Sequence, residues 1–231
     1  ALAQRVVGGH GFSFGSDWWP GVAADQPTAF WSYLYTLYLA AVYALAGHHP
    51  LIARLIQALL VGLTMPWLTY RIATRLFGVR AALIAAAIST VYLYFITYAA
   101  SLMTEAFYIT GILWTLDASM RLVEAGRDQA PAGRRLRLGL ELGLAMGLTL
   151  LLRQVISPFL ATLALWFAWL AWRRGWLRPL LGPLVAAAVV VAALCLPFIV
   201  RNYRVFGVVS MPNTNVGINF FWANHPIYGA Q

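Results

Sequence analysis

Two stretches of this chain, Ala81–Ala100 and Pro179–Val200, contain no charged residue. Nothing in the sequence constrains the fold more. In hydrocarbon each backbone N–H and C=O must find its partner inside the protein, so only helices and closed barrels span a bilayer. A spanning helix needs about 20 apolar residues, whereas a barrel strand needs about 10. Runs of this length therefore predict an all-α polytopic membrane helix bundle. Composition agrees: 10% of residues are charged, against about 25% in a soluble domain.

Further runs complete the pattern. Leu51–Tyr70 holds only Arg54, and Leu102–Val123 holds Glu105, Asp117 and Arg121. Leu138–Trp172 is too long for one span and divides at Arg153–Pro158, where a polar turn precedes a proline. Six spans result: 51–70, 81–100, 102–121, 138–152, 158–172 and 179–200. All 16 basic residues are arginines. If the spans alternate, eleven arginines fall on one side and Arg5, Arg54, Arg153, Arg201 and Arg204 on the other. The richer side is the cytoplasmic one. The net charge of +9 is thus a topology signal, and no nucleic-acid partner is expected. The chain reads as one membrane domain, a piece of a longer one. Residues 1–50 form an external loop with juxtamembrane helices, 51–200 carry six spans, and 201–231 begin another external loop.

This topology sorts the charges. Glu105 lies less than one turn below the outer surface. Asp117 is about 18 Å deeper, placed to pair with Arg121 one turn on. Glu141, near the same cytoplasmic end, is expected to pair with an arginine or reach for water. Gly139, Gly143 and Gly147 recur every fourth residue, a helix-packing face. The aromatic-rich stretch Phe30–Leu45 suits the outer interface better than the bilayer centre. "GGHGFSFG", residues 8–15, lacks the strand a phosphate-binding glycine loop requires. The single Cys195 can form no internal disulfide.

Asp17, Asp25, His48, His49, Glu105, Arg153, Gln154, Arg201, Asn202 and Arg204 all fall on the outer side. So does a tail with Asn213, Asn215, Asn219, Asn224 and His225. One possibility is an ion-pair cluster that braces helices. The other is an outward polar cavity. Arginines outnumber carboxylates there, and their forked donors suit phosphate. Gln154, Asn219 and Asn224 offer the neutral donors and acceptors that sugar hydroxyls need.

At "LMTEAF" (102–107), "LLRQVISPF" (151–159), "LPFIVRNYRVFG" (196–207) and "TNVGINFFWANHP" (214–226) the chain resembles the C-type glycosyltransferases. Within them it is most similar to the protein O-mannosyltransferase-like enzymes and the lipid A aminoarabinose transferases. "YLAAVYALAGHHPLIARLIQALL" (38–60) resembles the family's first outer loop and second span. The resemblance implies transfer of a sugar from a polyprenyl-phosphate carrier, outside the cytoplasmic membrane, to an acceptor it does not name. It implies a principal acid a few residues before Ala1. Glu105 corresponds to the family's second acidic residue. Arg153 stands where relatives carry a basic residue for the carrier phosphate, with Arg201 expected beside it. Asp25, in "ADQPTAFW", and His225, in "ANHP", correspond to an acid and a histidine that hold a divalent metal ion in some members. Gln26 replaces a lysine common in the aminoarabinose transferases, which points away from lipid A as acceptor. The rival readings are a transporter or flippase-like protein with an outward cavity, and a non-catalytic scaffold. Inverted repeats and midplane polar residues, the marks of a transporter, are not evident in the sequence.

Overall fold

The computed structural model describes residues 1–18, 22–210, 213–214 and 216–225; Leu177, Arg178, Val216, Ile218, Asn219 and Ala223 are described by backbone alone. Its elements are α1 (Leu2–Val7), α2 (Tyr33–Ala46), α3 (Pro50–Phe77), α4 (Val79–Val91), α5 (Leu93–Ala100), α6 (Glu105–Arg127), α7 (Ala132–Leu152), a 3-10 turn (Gln154–Ile156), α8 (Ser157–Arg174), α9 (Leu177–Phe206) and α10 (Val216–Asn224). Between α1 and α2 the chain folds back on itself through two isolated antiparallel bridges, Ser13 with Pro27 and Trp18 with Val22. The architecture is an all-α membrane helix bundle.

The helices run beyond the expected spans, so the turns are shorter. A single residue, Gly78, joins α3 to α4; its φ of 83° requires glycine. Residues 71–77 and 122–127, expected in loops, are helical. α9 carries Arg201 and Arg204 on its final turns instead of releasing them into a loop. The break before Pro158 is present: Arg153 is extended, at φ −150° and ψ 118°.

Among the described residues, three helices are long and apolar enough to cross a membrane, or four if the bent pair α4 and α5 forms one span. The sequence reading expects six. The difference lies in α6 and α7, which have the length, 23 and 21 residues, but carry charges. The charges deepest in these helices, Asp117, Arg121 and Glu141, are paired inside the bundle. Asp117 is fully buried, with Arg75 Nη1 at 2.8 Å, Arg121 Nε at 2.8 Å and Arg71 Nη2 at 3.2 Å. Arg121 also forks onto Glu141, which accepts from Trp114 Nε1 at 2.9 Å. Arg75 reaches Glu124 at 3.1 Å. Charges unaffordable in lipid are tolerable when they meet each other in the bundle interior.

α4 and α5 meet at 51°. The hinge, Tyr92, is extended, and just before it the hydroxyls of Ser89 and Thr90 both donate to the Ala86 carbonyl, at 2.7 and 2.9 Å. Such back-bonding competes with the helix ladder and bends it. The glycine face packs α7 on α9 more closely than any side chain permits. A Cβ at Gly139 would lie 2.2 Å from the Pro183 carbonyl oxygen, and one at Gly143 would lie 2.5 Å from that of Ala187. The core between α6, α7, α8 and α9 is filled by Leu122, Leu142, Phe167 and Leu180.

Candidate functional site

α2 spans only 14 residues, too short to cross a bilayer. Its first turn is where the helix ends converge. Ser32 caps it: its Oγ accepts from the Tyr35 N–H at 3.2 Å and donates to the Leu151 carbonyl at 3.0 Å, at the end of α7. Tyr33, 1% exposed, donates to Asn202 Oδ1 at 2.6 Å, near the end of α9. Tyr35 donates to Gln57 Oε1 at 2.8 Å on α3, and the Tyr38 ring packs edge-on against Phe107 of α6. One turn of helix thus touches α3, α6, α7 and α9 at a single end of the bundle, opposite the Asp117 cluster.

Arg153 and Arg201 are two of the arginines at this end. Arg153, in the turn after α7, places Nη2 2.9 Å from Glu105 Oε1; their side chains are 43% and 17% exposed. Glu105 is the first residue of α6, where the helix dipole favours an anion. Its other oxygen accepts from Thr104 Oγ1 at 3.3 Å. Arg201 is held differently. Its Nη1 donates to the Tyr33 hydroxyl, to the Thr28 carbonyl at 3.2 Å and to Asn202 Oδ1 at 3.4 Å. Its guanidinium lies 5.4 Å from the centroids of Phe12 and Tyr33 and 5.9 Å from that of Phe206. Among the described residues no carboxylate lies within 4 Å of it. Burial pushes the Tyr33 phenol above its ordinary range, with the charge of Arg201 opposing.

The structure therefore brings Glu105 to Arg153, and ties Arg201 to α2 and the loop before it. A groove of about 560 Å³, lined by Tyr92, Leu93, Tyr94, Thr97, Tyr98, Ser101 and Met103, runs up to the turn that precedes Glu105, but none of the three residues lines it. Gln154 follows Arg153 and is 6% exposed. Asn224 caps its own helix, donating to the Phe220 carbonyl at 2.8 Å. The Asn219 side chain lies outside the described residues.

The expected metal pair is not assembled as a site. Asp25, at φ 60°, gives its carboxylate to Arg5, and the His225 ring stacks near Phe221 at 4.9 Å. No three His, Cys, Asp or Glu residues cluster among the described residues. An arginine bound to the one candidate carboxylate repels a divalent cation, so these donors do not fit one, and the chemistry below runs without it.

Sequence reasoning missed three contributors. Gln57 was signalled by being an amide inside an apolar span. Tyr33 and Asn202 sat among many similar residues, and only their contact across the fold singles them out.

No curated protein and no solved structure matches this chain. The family model described as dolichyl-phosphate-mannose-protein mannosyltransferase matches residues 27–200. That stretch contains Glu105, Arg153 and Gln154 and stops one residue short of Arg201. It covers about three quarters of the chain, and the chain belongs to the dolichyl-phosphate-mannose-protein mannosyltransferase family of membrane glycosyltransferases.

Proposed function

We propose that this glycosyltransferase moves a sugar from a polyprenyl-phosphate carrier to an acceptor hydroxyl of a lipid, glycan or protein, at the outer face of the cytoplasmic membrane. The observation that carries the reading is Arg201, a cation with no carboxylate partner among the described residues, at the same end of the bundle as the half-exposed Arg153.

In the transfer, an acceptor oxygen attacks the anomeric carbon and its bond to the carrier phosphate breaks. The phosphate leaves with the electron pair, and the acceptor proton passes to a carboxylate. A phosphate leaving group needs no general acid if cations neutralise its charge as it develops. Arg153 and Arg201 supply that charge. Glu105 holds the Arg153 fork and orients the acceptor. The principal base is a carboxylate other than Glu105, and Gln154, Asn219 and Asn224 contribute neutral contacts to the sugar.

The test is transfer by purified full-length protein from radiolabelled dolichyl-phosphate mannose to added membrane lipids, glycans or peptides. Label in an acceptor fraction with release of dolichyl phosphate is the expected result. Movement of intact donor across proteoliposomes without transfer would instead establish a transporter.

A further inference from the structure

Gln57 is the only amide side chain buried within α3, and it is 0% exposed. Its Nε2 lies 2.6 Å from the Ser101 carbonyl oxygen and 3.1 Å from those of Tyr98 and Ala99. Its Oε1 accepts from Tyr35 at 2.8 Å. One side chain therefore meets three carbonyls at the end of α5, where a helix leaves its last carbonyls without partners. The Tyr98 carbonyl also accepts from the Ser101 N–H at 3.3 Å and the Ser101 carbonyl from the Met103 N–H at 2.8 Å. The Ala99 carbonyl is therefore the one most dependent on the amide, and in an apolar environment it would be costly to leave bare. The carbonyls fix which end of the amide faces which way, since only the NH2 end can donate to them, and the Tyr35 hydroxyl then donates to the amide oxygen.

Those carbonyls begin the four-residue turn that ends at Glu105. Met103 N–H donates to the Ser101 carbonyl at 2.8 Å, and Thr104 precedes the first residue of α6. No proline and no helix holds residues 101–104. The turn is held from the side by Gln57, and its far end carries the carboxylate that meets Arg153. We propose that Gln57 is a positioning residue: it fixes the 101–104 turn and thereby sets where Glu105, and through it the Arg153 fork, stands. Through Tyr35 the same amide registers α2 against this turn. The proposal rests on the functional reading above for its catalytic consequence, but not for its structural one.

The two are read separately in full-length protein. Gln57→Met keeps the size and removes the polar contacts. Hydrogen exchange of the 101–105 amides should rise tenfold or more, with exchange in α7 and α9 unchanged. With dolichyl-phosphate mannose, kcat should fall tenfold or more and KM for the donor should rise severalfold, because displacing Glu105 also displaces the Arg153 fork. Gln57→Asn, which keeps the amide but withdraws it by one methylene, should show the same signature at smaller size, and decides the matter if the methionine variant does not fold. Unchanged exchange at 101–105 overturns the proposal. So does raised exchange with unchanged kcat, which would make the turn irrelevant to turnover. A wild-type chain inactive in transfer overturns the functional reading and the catalytic role with it, while the exchange arm still shows whether the amide holds the turn.

Discussion

Arg153 Nη2 sits 2.9 Å from Glu105 Oε1 and joins the end of α7 to the start of α6. That contact fits a brace between helices, and it fits a site in which the carboxylate aims a phosphate-binding fork. The exposures separate them in advance. A pair this open to solvent contributes about 0–1 kcal/mol to stability. Glu105→Gln is therefore expected to leave the melting temperature close to wild type while turnover falls by about 10²-fold, the scale of losing one well-placed electrostatic group. Arg153→Lys keeps the charge and loses the fork, so carrier affinity should drop about tenfold, the worth of one charged hydrogen bond. Full turnover in folded Glu105→Gln protein would make the contact a brace.

Asp117 behaves in the opposite way. It is fully buried and answers three arginines. Asp117→Asn leaves Arg71, Arg75 and Arg121 facing one another around a neutral group. Breaking a buried pair from one side costs about 3–5 kcal/mol. Thermal unfolding in detergent should show a large loss of stability, and turnover per folded molecule should be retained. A melting temperature unchanged by the substitution would mean that water reaches the cluster.

The α7–α9 contact has no room for a side chain at Gly143, where a Cβ would also lie 2.7 Å from the Ala187 Cα. Backbone atoms cannot swing aside as side chains do. Gly143→Val should push the two helices apart at a cost of about 1–3 kcal/mol or more. Gly182, with open space where its Cβ would point, is the control: Gly182→Ala should fold normally.

Much of this was legible because membrane physics acts on short stretches of sequence. Charge-free runs gave the α4–α5 pair and α9, Pro158 gave the break at Arg153, and glycines four apart gave the α7–α9 face. The i,i+4 spacing gave Asp117–Arg121. What was not legible comes from partners distant in sequence. Arg71 and Arg75 read as loop residues because their carboxylate lies 42 residues or more away on another helix. Gln57 has the same difficulty: its carbonyl partners are backbone atoms, which carry no sequence signal. The Asp25–His225 pairing rested on resemblance alone, and Arg5, a residue the resemblance did not weigh, takes the carboxylate.

Topology can be read directly. The arginine count predicts a cytoplasmic Asp128 turn and an external Ser16 loop, and both residues are exposed. In a Cys195→Ala background, Ser16→Cys should react with an impermeant maleimide on intact cells, and Asp128→Cys should react only after permeabilisation. Ala130, in the same turn, is a poor probe because it is 7% exposed. External labelling at position 128 would reverse the whole arrangement.

Arg201 carries the most consequential expectation. Its hydrogen bonds to Tyr33 and Thr28 could serve only to latch the loop before α2 onto the end of α9. A latch needs a donor, not a charge. Arg201→Gln keeps two N–H donors on a shorter side chain and removes the cation. Arg201→Lys retains the cation and loses the planar fork. If Arg201 stabilises the departing phosphate, the glutamine variant should lose about 10²–10³ in kcat, equivalent to about 2.7–4 kcal/mol of transition-state stabilisation. The lysine variant should keep more of it. If it is a latch, both variants lose melting temperature, and turnover per folded molecule stays near wild type in each. Measuring kcat and melting temperature for the two variants side by side separates the roles, and a fully active Arg201→Gln enzyme would remove Arg201 from the phosphate site.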